Sequence, residues 1–172
     1  MSLRPARLRP ARLRRVLRAA AVIAPAALLL SACTPIVPFE AAPDAKNADC
    51  ASLVVRLPDT VAELPKRETN AQGTGAWGEP AAVLLRCGVP VPGPTTERCV
   101  SVDGIDWIID ESDAPRYLFT TYGRTPAVEV LVDNDVVGGT TAIADLSNAV
   151  GVIPADGGCT SVDDLGEVPS EG

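Results

Sequence analysis

The feature that most limits what this chain can fold is its first 32 residues, which have the composition of an export signal. Every charged residue before position 19 is an arginine, and an uncharged apolar run follows from Ala19 to Leu30. A basic segment, a short apolar segment and small residues before a cleavage point are typical of a secretory signal peptide. The apolar run is shorter than the ~20 residues that a membrane-spanning helix needs. We therefore predict that residues 1–32 are removed and that 140 residues form the mature protein.

The apolar run ends in Leu30-Ser31-Ala32-Cys33, which resembles the bacterial lipobox pattern Leu-(Ala/Ser)-(Gly/Ala)-Cys. The resemblance implies that Cys33 carries a diacylglyceryl thioether and becomes the first residue after cleavage. Because two or more acyl chains hold a protein stably on a bilayer, we predict a lipid-anchored protein on the outer face of the cytoplasmic membrane. The alternative is an ordinary signal peptide in which Cys33 occurs by chance.

The predicted mature chain is strongly acidic. Removal of the seven signal-segment arginines leaves eight basic residues against 22 acidic ones, so the formal charge is −14. A surface this negative disfavours nucleic acids and anionic lipid head groups as partners, although high net charge often serves only solubility. We expect the membrane, reached through the lipid on Cys33, and an envelope protein as the partners.

The chain contains no histidine, which excludes a Ser-His-Asp or Cys-His catalytic arrangement and histidine-based zinc sites. The only lysines are Lys46 in the expected tether and Lys66 in a polar loop, so Ser-Lys chemistry is disfavoured as well. We therefore predict that the protein is not an enzyme, has no catalytic residues and binds no cofactor.

Four cysteines follow Cys33, and in an exported domain four thiols indicate two disulfide bonds. They are Cys50, Cys87, Cys99 and Cys159. A zinc site would need closely spaced pairs such as Cys-x-x-Cys, which the chain lacks, so no metal site is expected. Of the three pairings we predict Cys87–Cys99, across a proline-rich loop, and Cys50–Cys159, beside the predicted terminal helices.

The chain divides into four predicted segments. Residues 1–32 are the signal peptide, and residues 33–48 are a lipid-anchored, flexible tether rich in proline and alanine, which would reach about 50 Å when extended. Residues 49–159 are the globular domain, and residues 160–172 are an acidic, disordered tail. One domain with one hydrophobic core is expected from this length.

Hydrophobic patterning within the domain predicts a helix near each end. The first covers residues 49–57 and ends before Pro58, while the second covers residues 140–150 with a threonine as its cap. The predicted strands between them are residues 81–87, 99–102, 105–109, 117–122 and 127–132. Asp103-Gly104 between two of these strands is a strong hairpin signal.

Consecutive strands with short joins favour an antiparallel sheet. The predicted fold class is accordingly a small α+β single domain, in which an antiparallel sheet of about four to five strands carries helices near both ends, packed on one face. Residues 58–78 are expected to form a long connection outside this sheet.

The acidic residues around the predicted hairpin have alternative interpretations. Asp103, Asp106, Asp110, Glu111 and Asp113 are dense enough to suggest calcium, but their spacing matches no calcium-binding loop, and a solvated hairpin tip explains them. Asp106 and Asp110 could also form a glycosidase-like carboxylate pair. In that alternative the protein is a carboxylate-dependent hydrolase acting on cell-wall material.

The candidate binding surface consists of Trp77, Tyr122 and Arg124. Gly123 permits a tight turn, and a rigid loop that presents Arg124 beside aromatic side chains suits a carboxylate or a polar loop of a partner. The alternative is that the aromatic side chains fill the core and that Arg124 forms a surface ion pair with Glu129 or with an aspartate of the hairpin.

Three stretches of the domain, residues 76–89, 99–107 and 119–126, are similar to motifs of an actinobacterial family of small exported lipoproteins that is known only as a domain of unknown function. The resemblance covers roughly residues 45 to 155. It implies export and a bacterial envelope location, and it brings no activity, catalytic residue or ligand. Because the chain also lacks histidine and any nucleophile motif, we predict a noncatalytic binding or scaffolding component of the cell envelope.

Overall fold

The computed structural model describes residues 35–159, so the predicted signal peptide, Cys33 and the predicted acidic tail lie outside the described residues. Within this range no helix is long and apolar enough to cross a membrane. The helices are α1 (Ala48–Val54) and α2 (Gly139–Val150), and the strands are β1 (Thr60–Val61), β2 (Leu64–Arg67), β3 (Thr74–Trp77), β4 (Val83–Val89), β5 (Arg98–Val102), β6 (Ile105–Asp113), β7 (Arg116–Thr121) and β8 (Ala127–Asp133).

The strands form one eight-stranded sheet in the order β1-β2-β3-β4-β8-β7-β6-β5, and all neighbouring strands are antiparallel. The predicted fold class is therefore wrong, because it placed four to five strands in an α+β arrangement with a helix at each end. The difference arises mainly in residues 58–78, which were expected to connect elements and instead form β1, β2 and β3.

Strand β3 was not predicted, because glycine in the sequence suggested a flexible loop, whereas the glycine in this strand allows close packing. A Cβ added at Gly75 would lie 2.8 Å from the ring of Trp77 and 2.8 Å from a methyl group of Leu57. The space next to the strand is thus already filled by these two side chains. Glycine in a strand commonly marks such a close approach.

The predicted hairpin between β5 and β6 is confirmed. Asp103 and Gly104 both have positive φ, 49° and 76°, as a two-residue type I′ turn requires. The turn pairs Val102 with Ile105 and sets the register of the two strands.

The two helices begin with different caps. The side chain of Asn47 accepts a hydrogen bond from the backbone N–H of Asp49 at 3.0 Å and so caps α1. Helix α2 begins one residue before the predicted start, and its cap residue is Gly138 rather than a threonine. The side chain of Asn134 accepts a hydrogen bond from Gly139 N–H there at 2.8 Å.

One face of the sheet, the core face, packs against both helices. Because side chains alternate along a strand, every second residue of the central strands reaches this core, which also includes the apolar stripe of α2. Its largest members include Leu53, Trp77, Leu85, Trp107, Phe119, Val130, Ile143 and Leu146. The intervening residues point to the opposite side, called the open face below, against which neither helix packs.

Candidate functional site

The four domain cysteines form two disulfide bonds, as predicted, but the predicted pairing is wrong. The bonds join Cys50 to Cys87 and Cys99 to Cys159. Strands β8, β7 and β6 lie between β4, which carries Cys87, and β5, which carries Cys99, so these two residues are separated across the sheet. The pairing depends on the strand order, which the linear spacing of the cysteines does not reveal.

Trp77 lies inside the protein and presents no surface to a partner. Its side chain is fully buried in the core, and its indole N–H donates a hydrogen bond to the carbonyl of Pro58 at 3.1 Å. The indole therefore fixes the chain between α1 and β1 against the sheet. This agrees with the alternative that the aromatic side chains fill the core.

Arg124 is buried as well, with 7% of its surface exposed. Its guanidinium donates hydrogen bonds to the carbonyl of Ile153 and, at 3.0 Å, to the carbonyl of Gly104. The side chain thus joins the β7–β8 loop to the hairpin turn and to the segment after α2. It does not pair with Glu129, whose carboxylate pairs with Arg86 instead.

The structure does not assemble the predicted binding surface. Tyr122 is partly exposed next to Arg124, and its backbone N–H donates to the carbonyl of Asp106 at 2.8 Å. Trp77 lies on β3, and β4 and β8 separate that strand from β7, at whose end Tyr122 and Arg124 lie. Two of the three side chains are buried, and the third is remote from Trp77.

The acidic residues of β6 have local hydrogen-bond partners. The carboxylate of Asp106 accepts a hydrogen bond from the backbone N–H of Cys159 at 2.7 Å. Hydrogen bonds from the side chain and then from the backbone of Ser112 lower the pKa of Asp110 below its ordinary value of 3.8. Among residues 35–159, no group of three or more side chains could hold a metal ion.

Asp106 and Asp110 are poorly placed for glycosidase chemistry. Both lie on β6, four residues apart, and a strand rises about 3.4 Å per residue, so their backbones are roughly 14 Å apart. Paired glycosidase carboxylates lie about 5–9.5 Å apart. A general acid also needs a raised pKa, whereas the pKa of Asp110 is lowered.

The segment after α2 crosses the ends of β7 and β6 and then reaches β5. Asp156 N–H donates to the carbonyl of Gly123 at 2.8 Å, and the Cys99–Cys159 bond holds the far end of this segment to β5. Gly123 has φ +68°, and an added Cβ would lie 2.1 Å from the carbonyl oxygen of Gly157. Gly123 therefore allows the backbone of the segment after α2 to pass close to the β7–β8 loop. From the sequence, Gly123 was instead expected to position a binding loop.

The chain before α1 also contacts the domain. The carbonyl of Pro35 accepts a hydrogen bond from the Arg67 guanidinium at 2.8 Å, and Val37 N–H donates to the carbonyl of Glu68 at 2.9 Å. Phe39 N–H donates to the Asn70 side chain at 2.6 Å. Within the segment predicted as a flexible tether, residues 33–48, the chain is thus hydrogen-bonded to β2 and the loop after it from Pro35 onward.

The open face carries a row of leucines that the sequence reasoning did not single out. Leu131 of β8 lies opposite Leu84 of β4 on one side and opposite Leu118 of β7 on the other. All three are partly exposed, and the Arg86–Glu129 pair lies in the adjacent row. The alternation within each strand was visible in the sequence, but the alignment of the three leucines depends on the order of the strands.

Comparison with known proteins gives a family and no activity. Residues 14–157 match the family described as "Protein of unknown function (DUF3515)". The match confirms the predicted resemblance to a domain of unknown function. No curated protein and no solved structure matches the chain.

Proposed function

We propose that this chain, which belongs to the DUF3515 family, is an exported lipoprotein that is held on the outer face of the cytoplasmic membrane and binds or scaffolds another envelope component. The observation that carries the proposal is the pair of disulfide bonds within the domain. Structural disulfides form and persist in oxidising compartments outside the cytoplasm. The arginine-rich segment and apolar run that end at Cys33 supply the export signal and the acylation site.

A binding role is favoured over catalysis by how the polar side chains are used. Asp106 accepts a backbone N–H, Glu129 pairs with Arg86, and Arg124 binds two backbone carbonyls. These groups hold strands and segments together, whereas a catalytic acid or base needs a pKa tuned towards the working pH and access to a substrate. The row of leucines on the open face is the feature suited to contact with another molecule.

The anchor is tested by comparing full-length wild type with Cys33→Ser in a bacterium that acylates lipoproteins. The wild type is expected in the membrane fraction, with the mass of a diacylglyceryl group on its first residue, whereas the serine variant should be unacylated and leave the membrane. Ser31→Ala keeps the lipobox pattern and serves as the matched control, which should behave as the wild type. The proposal is wrong if the Cys33→Ser protein is processed and retained as the wild type is.

The binding role is tested by crosslinking intact cells and isolating the protein under denaturing conditions. A scaffolding or binding component should give one or a few reproducible crosslinked species. If no envelope component is captured above the level seen with an unrelated lipoprotein, the scaffolding part of the proposal should be abandoned, while the anchor is judged by the Cys33 experiment alone.

A further inference from the structure

We infer that the open face of the sheet lies against the lipid surface of the membrane, with the row Leu84, Leu131 and Leu118 towards the bilayer. The inference rests on the proposed function, because it assumes the lipid on Cys33. It adds a defined protein surface to that anchor and fixes which side of the domain faces the membrane. Three observations carry it.

The first observation is how little free chain separates Cys33 from the domain. The first described residue, Pro35, is already hydrogen-bonded to Arg67 of β2, and Val37 and Phe39 follow with bonds to the loop after β2. Two residues of extended chain reach only about 7 Å, compared with about 50 Å for the tether predicted from sequence. A lipid on Cys33 would therefore hold this corner of the sheet next to the bilayer surface.

The second observation is that this corner belongs to the open face. Arg67 lies opposite Ala76 in the sheet, and Ala76 lies opposite Leu84. Lys66 and Trp77 form the neighbouring pair, and Trp77 points into the core. Because successive side chains of a strand point to opposite faces, Arg67 and Leu84 both lie on the open face. The carbonyl of Pro35 thus contacts a side chain on the same side as the leucine row, while both helices cover the core face.

The third observation concerns charge, because the mature chain as a whole should be repelled by anionic lipids. Three of its arginines lie beside carboxylates around the open face. They form the pairs Arg67–Glu79, Arg86–Glu129 and Arg116–Asp113. Local pairing lowers the negative charge presented there, while the exposed carboxylate of Asp110, opposite Leu118 on β6, bounds the row at one end. The three partly exposed leucines supply apolar area of the kind that inserts at the boundary between head groups and acyl chains.

The test uses the full-length, acylated protein reconstituted into vesicles of phosphatidylethanolamine and phosphatidylglycerol. A photoactivatable diazirine amino acid is placed at Leu118 in one protein and at Leu84 in a second. The matched control carries it at Asn148, which is exposed on the solvent side of α2 and hence on the opposite side of the domain. Melting curves and intact disulfide bonds show that each variant is folded.

After irradiation, mass spectrometry should find phospholipid adducts at Leu118 and Leu84 at about fivefold or more the yield at Asn148, because only the leucine row would lie within the head-group region. Equal yields at all three positions, or no lipid adduct at either leucine position, would overturn the inference. Crosslinks from Leu118 that go only to protein in native membranes would overturn it in favour of a protein partner on this face.

Flotation of the same vesicles separates the two proposals. If the acylated protein floats with the vesicles but the leucine positions give no lipid adduct, the anchor stands and the inferred orientation fails. If the wild type does not float and behaves as the Cys33→Ser protein does, the proposed function fails and the orientation fails with it.

Discussion

Arg124 offers the sharpest test of how the domain is held together. Replacement by alanine removes two hydrogen bonds from a charged donor, to the carbonyls of Ile153 and Gly104, each worth about 1.5–3 kcal/mol. The alanine variant no longer has the free-energy cost of removing a guanidinium from water, and this offsets part of the loss of the two hydrogen bonds. We expect the free energy of unfolding to fall by about 3–5 kcal/mol, which for a domain of this size lowers the melting temperature by some 12–20 °C.

The assay is thermal and urea unfolding of residues 33–172 with the disulfide bonds intact, followed by circular dichroism. Arg98→Ala is the matched control, because it removes the same charge from a side chain that is 67% exposed and pairs with Glu111 on the surface; such pairs contribute at most about 1 kcal/mol. Arg124→Lys keeps the charge but loses the planar fork of donors, and it should fall between the two. The reasoning is refuted if Arg124→Ala and Arg98→Ala lower the melting temperature equally.

Two further predictions concern the segment after α2 and the tip of β6. Gly123→Ala would push a Cβ onto the carbonyl oxygen of Gly157, so amide exchange at Asp156 should accelerate, and unchanged exchange would contradict the crossing described above. Ser112→Ala removes the larger cause of the lowered pKa of Asp110, so an NMR titration should show that pKa rising towards 3.8. Because folding lowers the pKa of Asp110, the ionised carboxylate stabilises the folded state at pH values above its unfolded-state pKa, and this stabilisation is lost as the pH falls through its folded-state pKa. An unaltered pKa of Asp110 in the variant would show that Ser112 is not the cause.

Local signals in the sequence predicted local structure well. The Asp103-Gly104 turn follows from two residues that tolerate positive φ, and the buried stripe of α2 follows from helical spacing of Ile143, Leu146 and Val150. Each of these features is decided within about a dozen residues, so neighbours in sequence are enough to reveal it.

Features that depend on strand order could not be predicted in this way. The chain passes from β4 to β5 by a loop, yet the sheet inserts β8, β7 and β6 between them. The correct cysteine pairs follow from that arrangement, because Cys99 lies at the far edge of the sheet from Cys87 and beside the returning segment that carries Cys159. The three strands β1, β2 and β3 were not predicted for a related reason. They are short, and the role of Gly75 depends on the side chains that pack against it.

Basic residues are scarce in this chain, and the structure shows how they are used. The arginines that pair with a neighbouring carboxylate are Arg67, Arg86, Arg98 and Arg116, while Arg124 binds carbonyl groups of two separate segments. Residues 33–172 have a formal charge of −14, and each of these cations relieves a local excess of negative charge or joins backbone segments. A surface for contact with another molecule is therefore better sought among partly exposed apolar side chains than where a cation is found, and the leucine row, which we infer faces the membrane, is such a surface.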